Sequence, residues 1–331
     1  MKIATHNETF HADEVTASII FSLLYDNIEF IRSRDPEVLD SADLVIDVSG
    51  KFDLVKYFDH HPTEFTLARD NGIKYATAGL IWNKFGAEVL KKLINTEAIF
   101  SDCKDEFTDE VINNALKIID KKVMEYIDLS DNGQLNQYIK TNICDLQPTE
   151  QNDVYEKMSG FYMNTPVIPY IVAMQNVGSN ATPEAQYANF IQTIECLTPL
   201  FKNIFIRNLI VARDEKKVLN SYKGGEILWL DEELPWIDAA FNNWDIFKDC
   251  KVAVVKNNSS YRIKSLPKSP TARFENKCPA PVAWRGKENE ELNALVGIKS
   301  ATFVHKTGFT GGAKTLEDIK VMVEKWIKEA E

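Results

Sequence analysis

A chain of 331 residues, 44% hydrophobic and 26% charged, is long enough for two domains and too apolar to be disordered, so neither a disulfide nor a metal is needed merely to make a core. Five scattered cysteines without CxxC or Cys/His spacing exclude a disulfide scaffold and read as reduced intracellular thiols. The net charge of -11 argues against a general polyanion binder, yet residues 251–331 carry 15 Lys/Arg against 9 Asp/Glu, leaving 23 against 40 for residues 1–250.

In chain order, Ile3 to Thr5 predicts a short strand, and Ala12 to Tyr25 predicts a helix from the spacing of Val15, Ile19, Ile20 and Leu23. The apolar stretch from Ala17 to Tyr25 is too short to span a bilayer, so a cytoplasmic protein without signal or anchor is expected. Ile28 to Ile31 and Leu44 to Val48 predict further strands, separated by a short helix at Pro36 to Leu39. Tyr57-Phe58 leads into Asp59-His60-His61-Pro62, where the proline ends regular structure. Ala76 to Leu93 and Thr108 to Ile127 are amphipathic helices, the second running into Asp128-Leu129-Ser130-Asp131 and stopped by Asn132-Gly133. Another helix is expected at Asp153 to Met163, then a long one from Pro183 to Asn220, interrupted at Pro199 and carrying the chain between domains. After Gly224-Gly225 the pattern changes to strands at Glu226 to Leu230, Val252 to Val255, Tyr261 to Leu266 and Thr302 to His305, with a last helix from Leu316 to Lys328.

These elements predict an α/β protein: an N-terminal domain over 1–215 with a largely parallel sheet flanked by helices, and a smaller, basic α+β domain over 216–331 that closes over the site. Four of the five histidines interleave with aspartates before residue 62: His6, His11 with Asp13, Asp47 ending an apolar run, then Asp59-His60-His61. These clusters fall at successive strand ends, which a parallel sheet brings to one edge. Imidazole and carboxylate together suit a pair of divalent cations. Glu8 and Glu14 read as a surface residue and a helix-start acid rather than ligands, and the tryptophans at 229, 236, 244 and 284 as core.

His6 with His11-Ala12-Asp13, Asp47, Asp59-His60-His61 and Asp131 resemble, in order, the four metal-binding motifs of the DHH phosphoesterase superfamily. Thr5 through Glu14, Ala78-Gly79-Leu80-Ile81, Asp128 to Gly133, Trp284-Arg285-Gly286 and Phe303 through Gly312 are similar to the melanocyte-proliferating-gene family within it, whose members are described as exonucleases acting on RNA. The resemblance implies two divalent metals with a bridging hydroxide: His6, His11 and Asp47 for one metal, and Asp13, Asp47, His60 and Asp131 for the other. It further implies that His61 contacts or protonates the phosphate ester, that Asp59 orients a histidine, and that Arg285, His305, Gly308, Gly311 and Gly312 form a substrate-binding loop.

His11 stands where many superfamily members have aspartate, which favours Mn²⁺, Co²⁺ or Fe²⁺ over Mg²⁺. Ser49 stands where the narrower family shows a second glycine beside Gly50, crowding that turn. Asp131 is favoured over Asp128 as the last ligand because it precedes the Asn-Gly break and projects from a turn, with Asp128 supporting from behind. The expected substrate is single-stranded RNA or a short oligonucleotide. Two alternatives stand beside it: a phosphatase of a small phosphate ester such as pyrophosphate, adenosine bisphosphate or a cyclic dinucleotide, and a non-catalytic metal-containing binding protein. Homo-oligomerisation is left open.

Overall fold

The computed structural model describes residues 1–140, 167–176, 178, 181–270 and 272–330. The helix expected at Asp153 to Met163 lies outside them. The described chain divides into two units within one long helix, the first ending at Leu209 and the second starting at Ile210. Among the described residues no helix is long and apolar enough to cross a membrane.

The first unit is built as β1 (Lys2–Thr5), α1 (Ala12–Leu24), β2 (Glu29–Arg32), α2 (Pro36–Ser41), β3 (Leu44–Ile46), β4 (Tyr57–Phe58) and α3 (Thr77–Thr96). Then come α4 (Asp109–Ile119), a π-helical turn at Asp120–Met124, α5 (Glu125–Asp131), α6 (Leu135–Ile139) and α7 (Ile168–Gln175). The four strands form one sheet in the order β2-β1-β3-β4, every pair parallel. Short apolar strands of this kind are stable only when both faces are covered. Ile3, Val45, Ile46 and Phe58 are accordingly fully buried, with Ile19 and Phe21 of α1 among the largest side chains removed from solvent.

The strand order changes direction between β1 and β3, and a parallel sheet opens its ligand crevice at such a switch, beyond the carboxyl ends of the strands. His6 follows β1, Asp47 follows β3 and Asp59-His60-His61 follows β4. The fold thereby gathers the polar clusters that are far apart in sequence.

Two helices differ from expectation. The helix at 108–127 continues to Asp131 through the π-helical turn, so Asp131 is the last helical residue rather than part of the turn beyond it. The long helix α8 (Pro183–Ser221) passes through Pro199 as one element. A proline removes one amide donor and crowds the preceding turn, yet a helix buried along Phe190, Ile194, Leu197, Phe201 and Phe205 keeps its course by packing.

The second unit continues with β5 (Ile227–Leu230), α9 (Trp236–Asn242), α10 (Trp244–Phe247), β6 (Val252–Asn257), β7 (Ser260–Ser265), α11 (Asn289–Val296), β8 (Ala301–Val304), β9 (Thr310–Ala313) and α12 (Leu316–Glu329). Its sheet runs β5-β6-β7-β9-β8, parallel at β5/β6 and antiparallel elsewhere. One face packs Val254, Ile263, Trp284 and Val304 against Ile319, Met322, Val323 and Trp326, the apolar stripe of α12. The other face packs Ala253, Val255 and Leu266 against Trp236 and Phe247.

Strand β9 is a difference from the sequence reading. Gly311 and Gly312 lie inside it and are buried, paired with Ile263 and Arg262 on one side and with Val304 and Phe303 on the other. A Cβ on Gly312 would lie 2.5 Å from the Tyr261 carbonyl oxygen, and one on Gly311 2.9 Å from that of Phe303. These glycines serve close strand packing, and the expected glycine-rich loop is reduced to the turn at Gly308.

Candidate metal centre

The His6–His11 loop is pinned from two sides. Arg32 donates from Nε to the His6 carbonyl at 3.1 Å and from Nη2 to that of Glu8 at 2.8 Å, its guanidinium lying over the rings of Phe10 and Phe190. The Asn176 side chain accepts from the Phe10 amide at 3.0 Å and donates to the Phe10 carbonyl at 2.8 Å. Held this way, the loop turns His6 and His11 toward the end of β3.

His6 Nδ1 sits 2.8 Å from the carbonyl oxygen of Asn7, which can only accept, so Nδ1 carries the hydrogen of a neutral ring. Nε2 is left facing Glu14 Oε1 at 2.9 Å and Asp47 Oδ2 at 3.5 Å. His6, His11, Glu14 and Asp47 bring ligand atoms within 4.8 Å of one another. The Glu14 carboxylate is fully buried and belongs to this group, contrary to its reading as only a helix-start acid. Glu8 is exposed.

His60 repeats the arrangement. Its Nδ1 lies 3.2 Å from Asn132 Oδ1, and Asn132 Nδ2 donates to the carbonyls of Lys74 and Asp128, which fixes the amide oxygen as the acceptor. Nε2 then faces Asp131 Oδ2 at 3.0 Å, Asp47 Oδ1 at 3.4 Å and Asp13 Oδ2 at 3.7 Å. Asp13, His60 and Asp131 form a second group, and Asp47, His60 and His61 link it to the first. Asp47 therefore faces both histidines, from a backbone at φ +54° just past β3.

Asp13 and Asp128 are held by one helix end. Helix α3 begins at Thr77, and Ala76 before it has no side chain able to cap it, so its first amides need outside acceptors. Asp13 accepts from Thr77 at 2.9 Å and Ala78 at 2.6 Å, and Asp128 accepts from Gly79 at 3.1 Å. Asp128 also takes Arg69 Nη1 at 2.7 Å, while Arg69 holds Asp120 in the π-helical turn. Residues 128 and 131 share a helix face, yet only Asp131 reaches His60. Burial, opposed by Arg69, pushes the Asp128 carboxyl up to about 7.

On the outer side, Asp59 Oδ1 accepts from the His61 amide at 3.0 Å and approaches His61 Nδ1 at 2.8 Å, while Oδ2 accepts from the Gly50 amide at 2.6 Å. His61 keeps 63% of its side chain exposed, with Nε2 left for a ligand. A cleft of about 970 Å³ opens here, lined by His6, His11, Asp47, Asp59, His61 and Asp131, with Phe10, Leu39 and Ile127 as apolar wall. Arg34 and Lys51 are cationic side chains on its lining.

The electrostatics are those of a site short of positive charge. Burial alone would lower the histidines, but Asp47 and Glu14 raise His6 to about 10, and Asp131 and Asp47 raise His60 to about 11. Burial together with Asp131 and Asp47 pushes Asp13 well above the usual carboxylate range. Asp47, despite burial, is held below that range by His6 and His60. Three buried atoms, Glu14 Oε2, Asp47 Oδ1 and His60 Nε2, lack a hydrogen-bond partner; His60 Nε2 is near Asp131 but not aligned with it. A buried polar atom without a partner is costly; Asp47 Oδ1 and His60 Nε2 lie 3.4 Å apart and Glu14 is grouped with Asp47, an arrangement that fits divalent cations.

Sequence reading missed Glu14, Asn132 and Arg69. The signals were present: Glu14 lies three residues after His11 on the first helical turn, and the Asn of the Asn-Gly stop has a side chain to spend. In the second unit Arg285, His305 and Gly308 meet at one turn. Arg285 Nε donates to the Ala280 carbonyl at 2.8 Å, and a Cβ on Gly308, at φ +74°, would lie 2.8 Å from that Nε. His305 Nδ1 accepts from the Thr307 amide at 3.2 Å, which leaves Nε2 as the ring donor.

Comparison with known proteins finds a MYG1 protein of Schizosaccharomyces pombe, 28% identical over 340 residues and covering 98% of this chain and 97% of the relative. The MYG1 exonuclease of Mus musculus is likewise 28% identical over 340 residues, covering 96% of this chain and 82% of its own. Among solved structures, exonuclease RecJ bound to manganese is a distant likeness, 13% identical with a TM-score of 0.25, covering 99% of this chain and 89% of that one. A family profile matches residues 2–327, and the chain belongs to that family, MYG1_exonuc, described as Uncharacterised protein family (UPF0160).

Proposed function

We propose that this protein is a metal-dependent phosphoesterase, an exonuclease that shortens single-stranded RNA or oligonucleotides from an end with the aid of two divalent cations, Mn²⁺ favoured. The observation that carries the reading is an open cleft lined by His6, His11, Asp47, His61 and Asp131, with Glu14 and His60 each grouped with Asp47 and buried atoms of Glu14, Asp47 and His60 left without partners. A structural metal site is closed, whereas a catalytic one keeps room for substrate. The exonuclease name borne by the mouse relative supports the same class.

In this reading His6, His11 and Asp47 would hold one cation, and Asp13, Asp47, His60 and Asp131 the other. Bound cations supply Lewis acidity at the phosphoryl oxygens and an activated water at neutral pH. The remaining work falls to side chains. Asn132 keeps the His60 hydrogen on Nδ1, so the neutral ring offers its lone pair from Nε2. The α3 amides orient both Asp13 oxygens. Asp59 holds the His61 hydrogen on Nδ1 and raises the ring's affinity for a second proton, so a protonated His61 can donate from Nε2 to the leaving oxygen. In the second unit, Arg285, His305 and the Gly308 turn bind phosphate, Arg285 through its clamped guanidinium and His305 through Nε2.

The test is hydrolysis of 5′- and 3′-end-labelled single-stranded RNA by chelator-stripped protein, with Mn²⁺ or Mg²⁺ restored. A ladder that requires the cation and vanishes in Asp47→Ala is expected. Absence of cleavage with every divalent cation, alongside turnover of pyrophosphate or another small phosphate ester, would replace the polymer substrate by a small one.

A further inference from the structure

We infer that Glu14 is itself a ligand of the first cation, adding a carboxylate to His6, His11 and Asp47. The inference rests on the metal-centre reading above and extends it to a residue whose helix-capping role is complete without such a function.

Capping needs one oxygen. Glu14 Oε1 accepts from the His11 amide at 2.9 Å, as an acid at the third helical position does. The other oxygen, Oε2, is buried and has no partner, on a residue that is 0% exposed. A glutamate that only capped its helix would turn that oxygen to solvent or give it a donor. Here it is directed into the same space as His11 Nδ1, 4.0 Å away.

His6 decides between ligand and mere neighbour. Its Nδ1 hydrogen is committed to the Asn7 carbonyl, so the neutral ring presents a lone pair from Nε2 toward Glu14 Oε1 at 2.9 Å and Asp47 Oδ2 at 3.5 Å. A lone pair and two carboxylate oxygens repel unless something positive lies among them. A proton on Nε2 satisfies one such contact, but it leaves Glu14 Oε2 and Asp47 Oδ1 unmet. A divalent cation in the group of His6, His11, Glu14 and Asp47 meets the lone pair and both Glu14 oxygens, leaving Asp47 Oδ1 to the His60 side. Glu14 cannot orient His6 by accepting from Nε2, because Nε2 has no hydrogen once it ligates a metal.

Charge balance agrees. Without Glu14 the first cation has Asp47 alone, and shares it, while the second has Asp13 and Asp131 of its own. With Glu14, the carboxylates of residues 13, 14, 47 and 131 neutralise two dications. Their compact grouping in a buried site would be destabilising on any other terms.

The experiment counts cations on the full chain. Wild type and Glu14→Gln are stripped, loaded with a small excess of Mn²⁺ over two equivalents, gel-filtered and assayed for bound metal; Co²⁺-loaded samples are compared by visible absorption. Gln keeps an oxygen for the His11 amide and removes one crowded charge, so the stripped variant should melt no lower than the stripped wild type. Two cations per wild-type chain, one per variant chain and a changed Co²⁺ spectrum are expected, with affinity for the first cation down more than about 100-fold, beyond what loss of a hydrogen-bonded neighbour of a ligand produces. Two tightly held cations and an unchanged Co²⁺ spectrum in Glu14→Gln overturn the inference. Wild type that binds no divalent cation overturns instead the metal centre on which it rests. If Glu14→Gln does not fold, Glu14→Asp is counted in the same way, and retention of both cations with unaltered spectrum again overturns the inference.

Discussion

Gly79→Ala sets two physical effects of opposite sign against each other. Inside an ordinary helix the change is stabilising by about 0.5–1 kcal/mol, because glycine gives up more backbone freedom on folding. At this position the added Cβ would lie 2.0 Å from Asp128 Oδ2, 2.8 Å from its Cγ and 2.9 Å from Arg69 Nη2. The obstacle is a buried carboxylate held by Arg69 at 2.7 Å, not the loose end of a surface side chain. Overpacking costs about 1–3 kcal/mol, and prising apart a buried ion pair costs about 3–5 kcal/mol. We expect a net loss of about 2 kcal/mol or more, read as a lowered urea midpoint of the cation-free protein. Affinity for Mn²⁺ should fall too, since shifting α3 moves the Thr77 and Ala78 amides that orient Asp13. Asp128→Ala removes the obstacle, so the two changes together should be less damaging than their sum by about 1 kcal/mol or more. A Gly79→Ala protein as stable as wild type, or effects that add within about 0.5 kcal/mol, would refute the account of Asp128 as the brace of α3.

Two further outcomes follow from the same geometry. Ser49 has φ +101°, a conformation costing a side-chain-bearing residue about 1–3 kcal/mol, so Ser49→Gly should gain about 1 kcal/mol after glycine's own entropy is counted and raise the melting temperature by about 2–4 °C; a fall would show that the bond from the Lys51 amide to Ser49 Oγ matters more than the strain. Without a cation His6 and His60 hold protons to about 10 and about 11, and ligation requires neutral rings, so metal binding should release protons and weaken by up to about tenfold per unit of acidification for each one. Calorimetry in buffers of different ionisation enthalpy counts them, and a count of zero refutes the shifts. In the cation-free fold the same raised values stabilise below the ordinary histidine value near 6.5, and that contribution is lost as pH climbs through about 10 for His6 and about 11 for His60.

The first unit was legible in the sequence because its strands are short apolar runs, each ending in a polar cluster: Ile3 to Thr5 before His6, Leu44 to Ile46 before Asp47, Tyr57-Phe58 before Asp59. Period and punctuation carry that kind of information. Strand β9 was not legible, since Thr310-Gly311-Gly312-Ala313 has no strand periodicity and owes its conformation to neighbours on both sides. The far end of α5 was misjudged by one turn for a related reason: Asn132-Gly133 does stop the helix, but the π-helical turn upstream and the docking of Asp128 on α3 decide where it stops.

Three residues to which the sequence assigned no work in the site share a chemical trait. Glu14, Asn132 and Gly79 each have an ordinary local explanation, as helix cap, helix stop and small helix residue, and each also acts on a side chain distant in sequence: His6, His60 and Asp128. Histidines and aspartates stand out because few local rules call for them at a strand end. Orienting groups do not, because acids at helix starts and Asn-Gly at helix ends are what those positions favour anyway. A residue of this kind is recognised only by what is left over once its local role is satisfied: the second oxygen of Glu14, the side-chain amide of Asn132 after the backbone has turned, the missing Cβ of Gly79 where any methyl would strike a carboxylate. In this site those remainders set which lone pairs turn toward Asp47.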